Sequence, residues 1–233
     1  MKKITSVLFL FYCFSVGWAQ TVPPCTLEIT DAETFARDWT VIDVNSDVSA
    51  NTWAYNDGNA MYTQDKSNAA DDWLIAPAVT LEAGKAYKVS AYVKHSSTFG
   101  SDKQKIELKI GTAPTVEGLT TWLVYDESFQ SRLFVEKSGT FSPAESGVFY
   151  VGLRCYSESY NGDLYFQKIV IEEAPVYPVQ ITDLSIVAGE RGAMSATLSW
   201  TWPSSDHLGG ALSNLLGAKI YRGTDLVATL DTA

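Results

Sequence analysis

Apolar and polar residues between Asp71 and Lys94 follow the two-residue period of a strand. Tyr87, Val89, Ala91 and Val93 alternate with Lys88, Ser90, Tyr92 and Lys94, which predicts a half-buried β-strand. Ahead of it, Trp73-Leu74-Ile75-Ala76 stops at Pro77, a residue that cannot donate to a sheet ladder. Glu82-Ala83-Gly84-Lys85 supplies the glycine that a reversal needs where φ turns positive.

The same grammar recurs along the chain. Ile106, Leu108 and Ile110 alternate with Lys105, Glu107 and Lys109. Strands are also expected over 120–125, 132–137 and 148–156, the last with Phe149, Val151, Leu153 and Cys155 on its buried side. In the closing strand over 164–171, Gln167 shares parity with Ile169 and Ile171 and is expected to face inward. Residues 26–39 predict an opening strand and an acidic connection, and 39–43 a further strand. Residues 51–70 predict two strands about the turn Asn56-Asp57-Gly58. Roughly nine or ten strands, regular turn signals and no long helical period predict a β-sandwich over residues 20–173.

Residues 174–178 contain Pro175 and Pro178 and read as a stiff linker. From residue 179 the strand pattern restarts, over 181–187, 195–200, 219–223 and 226–230. Four strands do not close a sandwich, so residues 179–233 are expected to be part of a second, incomplete one. The expected fold class is therefore all-β.

Composition refines this picture. Seven Trp, 12 Tyr and 10 Phe among 233 residues suit strands better than helices. A net charge of −10 argues against nucleic acid and anionic membrane surfaces as partners. Lys2 and Lys3, the apolar run over 4–16 and Gly17-Trp18-Ala19 read as a signal peptide over residues 1–19, with a mature chain from about Gln20 and no membrane insertion after cleavage. Export leaves Cys25 and Cys155, which either form a disulfide or stay as free thiols.

The chain offers no nucleophile motif, zinc-spaced His/Cys cluster or phosphate-binding glycine loop, so the expectation is a non-enzymatic protein. Asp43, Asn45 and Asp47 stand at every second position, a pattern that either wraps Ca²⁺ or forms a solvated turn. The EF-hand template fails, since Val48 stands where it needs Gly and Ala54 where it needs Glu. The candidate ligand set pairs loop aromatics, which stack on sugar rings, with hydroxyl-binding polar groups. It comprises Trp53, Tyr55, Asn56, Asp57, Arg154, Tyr156, Tyr160 and Asn161. Trp39, Trp73 and Trp200 are assigned to cores.

Three blocks, Trp39-Thr40-Val41-Ile42-Asp43, the run from Ala70 to Pro77 and Tyr150-Val151-Gly152-Leu153-Arg154-Cys155-Tyr156-Ser157, resemble the choice-of-anchor and cleaved-adhesin type jelly-roll domains, including those of gingipains. Residues 179–233 are similar to the first strands of a fibronectin type III domain, with Trp200 at its core tryptophan and Lys219-Ile220-Tyr221-Arg222 at its third strand. The resemblance implies a jelly-roll β-sandwich followed by an incomplete fibronectin type III-like sandwich. It also implies an exported, surface-associated or secreted adhesin that binds an extracellular glycan or glycoprotein. A spacer or assembly module of a larger surface protein is the alternative. Gln167 and Lys168 replace the two acids with which many such domains hold a structural Ca²⁺, which weakens the calcium reading.

Overall fold

The computed structural model describes residues 21–47, 51–97, 102–207, 209–212 and 215–231. The leader expected over 1–19, Gln20 and Val48 lie outside the described residues.

The described residues from Cys25 to Glu173 form twelve strands and one short helix. The elements are β1 (Cys25–Glu28), α1 (Ala32–Asp38), β2 (Thr40–Asp43), β3 (Trp53–Asn56), β4 (Asn59–Tyr62), β5 (Asp72–Ile75) and β6 (Val79–Leu81). They continue as β7 (Tyr87–His95), β8 (Gln104–Gly111), β9 (Thr121–Phe129), β10 (Val135–Phe141), β11 (Gly147–Cys155) and β12 (Leu164–Glu173). Two six-stranded antiparallel sheets result. One runs β10-β7-β12-β4-β3 with β1 added to β12, and the other β2-β5-β11-β8-β9 with β6 added to β11. Strands adjacent in space are mostly distant in sequence, as in a jelly-roll sandwich.

Alternation decides which side chains meet between the sheets. Tyr87, Val89, Ala91 and Val93 of β7 are all buried, and so are Phe149, Val151, Leu153 and Cys155 of β11. Ile106, Leu108 and Ile110 of β8 join them in one continuous core. Trp39 packs edge-on against Phe166, 5.2 Å between ring centres. Gly84 takes a φ of +77°, as its turn requires. The β3–β4 hairpin turns on Asp57 and Gly58, both at positive φ.

Some expectations are corrected. The acidic connection before Trp39 is helical, because Asp31 caps it by accepting from the Thr34 amide at 2.7 Å. Gln167 does not take the inward place expected of it. A bulge between Phe166 and Lys168 switches the parity of β12, so Leu164 and Phe166 face inward before it and Ile169 and Ile171 after it. Cys25 and Cys155 are both free thiols rather than a disulfide. Cys25 lies opposite Ile171 in one sheet, while Cys155 is wholly buried on β11 of the other.

Beyond Pro178 the described residues form two separate hairpins. One pairs β13 (Ser185–Ala188) with β14 (Ala196–Ser199), the other β15 (Gly217–Arg222) with β16 (Asp225–Asp231). Trp200 is half-buried, edge-on to Trp202 at 5.7 Å, and not enclosed in a core. Among the described residues no helix is long and apolar enough to cross a membrane.

Candidate functional site

The expected ligand set falls on three different elements. Trp53 cannot be a platform. It is 2% exposed, packs at 6.1 Å against Tyr62 and donates from Nε1 to the Asp72 carbonyl at 3.1 Å. Tyr55 is half-buried against the same core, and Asn56 and Asp57 belong to the hairpin turn. Tyr160 is 65% exposed at a φ of +64° in the loop between β11 and β12. That loop is pinned from below: the buried Gln104 donates to the carbonyls of Asn161 and Gly162, at 3.0 and 2.6 Å. Arg154 and Tyr156 alone stand together, on the outer side of the sheet that contains β5, β11, β8 and β9.

The acidic loop is closed by its own hydrogen bonds. Asp43 accepts from the Ser46 amide at 2.6 Å. Asn45 turns its amide NH₂ toward Asp47 at 3.1 Å and toward the Ala69 carbonyl at 2.6 Å. A cation there would need an Asn45 oxygen where the loop presents N–H groups. Among the described residues, no group of three or more His, Cys, Asp or Glu side chains is placed to hold a metal ion. Nearby, burial pushes the Asp72 carboxyl up to about 6, and the Asp43 and Asp47 carboxylates add to the rise.

The surface around Arg154 and Tyr156 is the most chemically distinctive part of the sandwich. Arg154 pairs with Asp71 at 2.7 Å and reaches Glu107 at 3.3 Å. Asp71 in turn holds the guanidinium well above its ordinary range. Its charged plane lies 5.2 Å from the Tyr156 ring centre and 5.7 Å from that of Trp73. Beside it, Tyr125 lies 6.2 Å from Tyr156 with the rings only 26° from parallel, and Trp122 stands edge-on to Tyr125 at 5.5 Å. Trp122 is 51% exposed and Tyr125 57%. Lys109 lies over one face of the Trp122 ring at 3.9 Å.

A backbone irregularity assembles this group. The register between β8 and β9 shifts after Leu108, so that Leu108 faces Val124 while Lys109 faces Trp122. Leu123 is the extra residue. Trp122 and Tyr125, three positions apart, thereby share a face that a strict period of two would deny them.

Three buried polar atoms on this face have no hydrogen-bond partner: Trp73 Nε1, Glu107 Oε2 and the Tyr156 hydroxyl. All three flank Arg154. Glu107 Oε2 meets Lys109 only at 3.5 Å, an ion pair without a hydrogen bond. Buried polar groups are rarely left unpaired, since each forfeits about 1–3 kcal/mol.

One end of the face is closed by the loop between β8 and β9. Its Leu119 and Val116 pack with Trp73, Ile75 and Tyr150 in a small cluster outside the main core. Trp73 is thus buried as expected, but beneath a loop rather than between the sheets. Gly152 makes the seat: a Cβ there would lie 2.3 Å from Leu119 Cδ1 and 3.1 Å from Trp73 Cε3.

No family model and no curated protein matches this chain. Solved structures similar to it include the K3 cleaved adhesin domain of Lys-gingipain from Porphyromonas gingivalis W83. That domain is 11% identical, with a TM-score of 0.48 over 62% of this chain and 97% of its own. The K1 cleaved adhesin domain of the same protein is 14% identical, with a TM-score of 0.46 over 65% and 99%. The CBM22-1 xylan-binding domain from Paenibacillus barcinonensis Xyn10C is 15% identical, with a TM-score of 0.39 over 67% and 97%. What the face of this chain can do follows from its own side chains.

Proposed function

We propose that the sandwich is a non-enzymatic binding module that holds a carbohydrate against the face of Trp122, Tyr125 and Tyr156. One observation carries the reading. Two large exposed aromatics stand beside three buried polar atoms that lack partners, all gathered around Arg154. Sugars ask for this combination. Their ring faces bury apolar C–H surface on an aromatic, and their hydroxyls both give and accept hydrogen bonds. The export signal expected over 1–19 fits an extracellular glycan or glycoprotein ligand. Residues 179–233 we read as part of a fibronectin type III-like module that spaces the sandwich from what it is joined to. Support for that comes from the two hairpins and the prolines of the linker.

A glycan-array screen of the full chain, with a Trp122→Ala/Tyr125→Ala double variant beside it, tests the reading. Binding to a glycan class that disappears in the double variant is the expected result. Silence of the wild-type chain across the array, or binding that survives the double variant, would overturn it.

A further inference from the structure

The face carries its own charge balance, and this narrows the ligand. Arg154 is matched by Asp71 and Glu107 at 2.7 and 3.3 Å. Lys109 is matched by Glu107 at 3.5 Å. At the rim, Lys105 pairs with Glu158 at 2.8 Å. Every one of these cations already has a carboxylate, and the chain as a whole carries −10. A uronate, sulfate or phosphate that engaged Arg154 would have to strip Asp71 or the buried Glu107 from it, which is costly.

Building on the carbohydrate reading, we infer that the ligand is an uncharged glycan and that Glu107 selects it. Glu107 is 3% exposed, and its Oε2 is an acceptor with no hydrogen bond. A sugar hydroxyl supplies the missing donor without adding charge.

Lys109 is the group that yields. Its ammonium spans from Glu107 to the Trp122 ring, 3.5 Å from the one and 3.9 Å from the centre of the other. It rides on a flexible four-carbon stem, so rotations about single bonds move it away without moving the backbone. A neutral sugar that displaces it gains the Glu107 acceptor, and stacks on a Trp122 ring that is already half open to solvent. Beside it, Tyr125 and Tyr156, with rings 26° from parallel, offer a second sugar a separate surface.

Calorimetric titration of the full chain tests this. One set of ligands is neutral (arabinoxylan, galactomannan, a mixed-linkage β-glucan) and one anionic (polygalacturonate, alginate, dextran sulfate). The expected result is binding of a neutral polysaccharide whose affinity changes less than about twofold between about 50 and about 500 mM NaCl. Glu107→Gln, titrated at a temperature where its melt shows it folded, should weaken it about tenfold or more, because a charged acceptor becomes a neutral one. If that variant fails to fold, Lys109→Met in its place should leave neutral binding intact or tighten it. Binding confined to anionic ligands and lost in Trp122→Ala would overturn the inference and keep the carbohydrate reading. Neutral binding unchanged in a folded Glu107→Gln would overturn the role of Glu107. Silence from both sets would overturn the two readings together.

Discussion

On the outer side of the sheet that contains β7 and β12, Lys94 lies 4.4 Å from the Tyr165 ring centre and 4.8 Å from that of Phe134. Lys168 covers Tyr92 at 5.2 Å and stands 3.9 Å from Glu28. Ser90 donates to Glu136, which Lys88 also engages. Among the described residues, none of the outward side chains there has a buried polar atom without a partner. The outer side of the other sheet holds the same residue types, aromatics under cations beside carboxylates. There, three buried polar atoms go unpaired and two aromatics stand half open. Composition does not separate the two faces. Satisfaction of hydrogen bonds does, and the unsatisfied face is the one expected to do work.

Substitutions can break that contrast. The largest effect is expected in the core behind both faces. Trp53→Ala should cost about 3–5 kcal/mol in denaturant unfolding, the range for deleting a buried aromatic. A variant as stable as wild type would mean Trp53 does not serve the core. Trp122→Ala/Tyr125→Ala should lower glycan affinity about a hundredfold and leave stability within about 0.5 kcal/mol. A stability loss as large as that of Trp53→Ala would make the aromatic face structural.

Asp72 tests the inward side of the same sheet. Its carboxyl is raised from 3.8 to about 6, so its contribution to stability is intact below about pH 4 and lost as pH rises through 6. Asp72→Asn should therefore stabilise the fold by about 2–3 kcal/mol at pH 8 and hardly at all at pH 4. Thermal melts at the two pH values check this, and equal shifts would refute it. Gly152→Ala should cost about 1–3 kcal/mol and loosen the loop over 112–120 by unseating Leu119, read as faster amide exchange there. Unchanged exchange would show that the loop does not depend on the glycine. The smallest effect belongs to the satisfied face: Lys94→Met should change stability by about 0.5 kcal/mol and glycan binding not at all. Lost binding would move the site to the opposite sheet.

Much of the sandwich was legible in the sequence because burial imposes alternation. The apolar core positions of β7 and β11 read correctly, and so did the turns at Gly84 and at Asp57-Gly58. Two of the misreadings share a cause. A bulge has no simple residue signature, so the one at Leu123 concealed that Trp122 and Tyr125 share a face, and the one near Gln167 reversed an expected parity. Arg154 at the end of β11 and Tyr156 just beyond it were named together because an aromatic beside a hydroxyl-binding cation is a local pattern. Trp53 looked like a loop aromatic because its neighbours are polar, yet the hairpin turns it inward. Its Nε1 is satisfied by a backbone carbonyl, which no local pattern reveals. The short helix before Trp39 rests on a single cap, too little for periodicity to register.

The buried thiol of Cys155 has a consequence for chemical durability. Burial pushes it up to about 12, so it stays a protonated, unreactive thiol at pH 7. Cys25 is shifted in the same direction. A sandwich whose two cysteines lie on different sheets as free thiols does not need an oxidising catalyst to join them. It should keep its shape through swings of redox potential that would undo a disulfide-stapled protein of the same size.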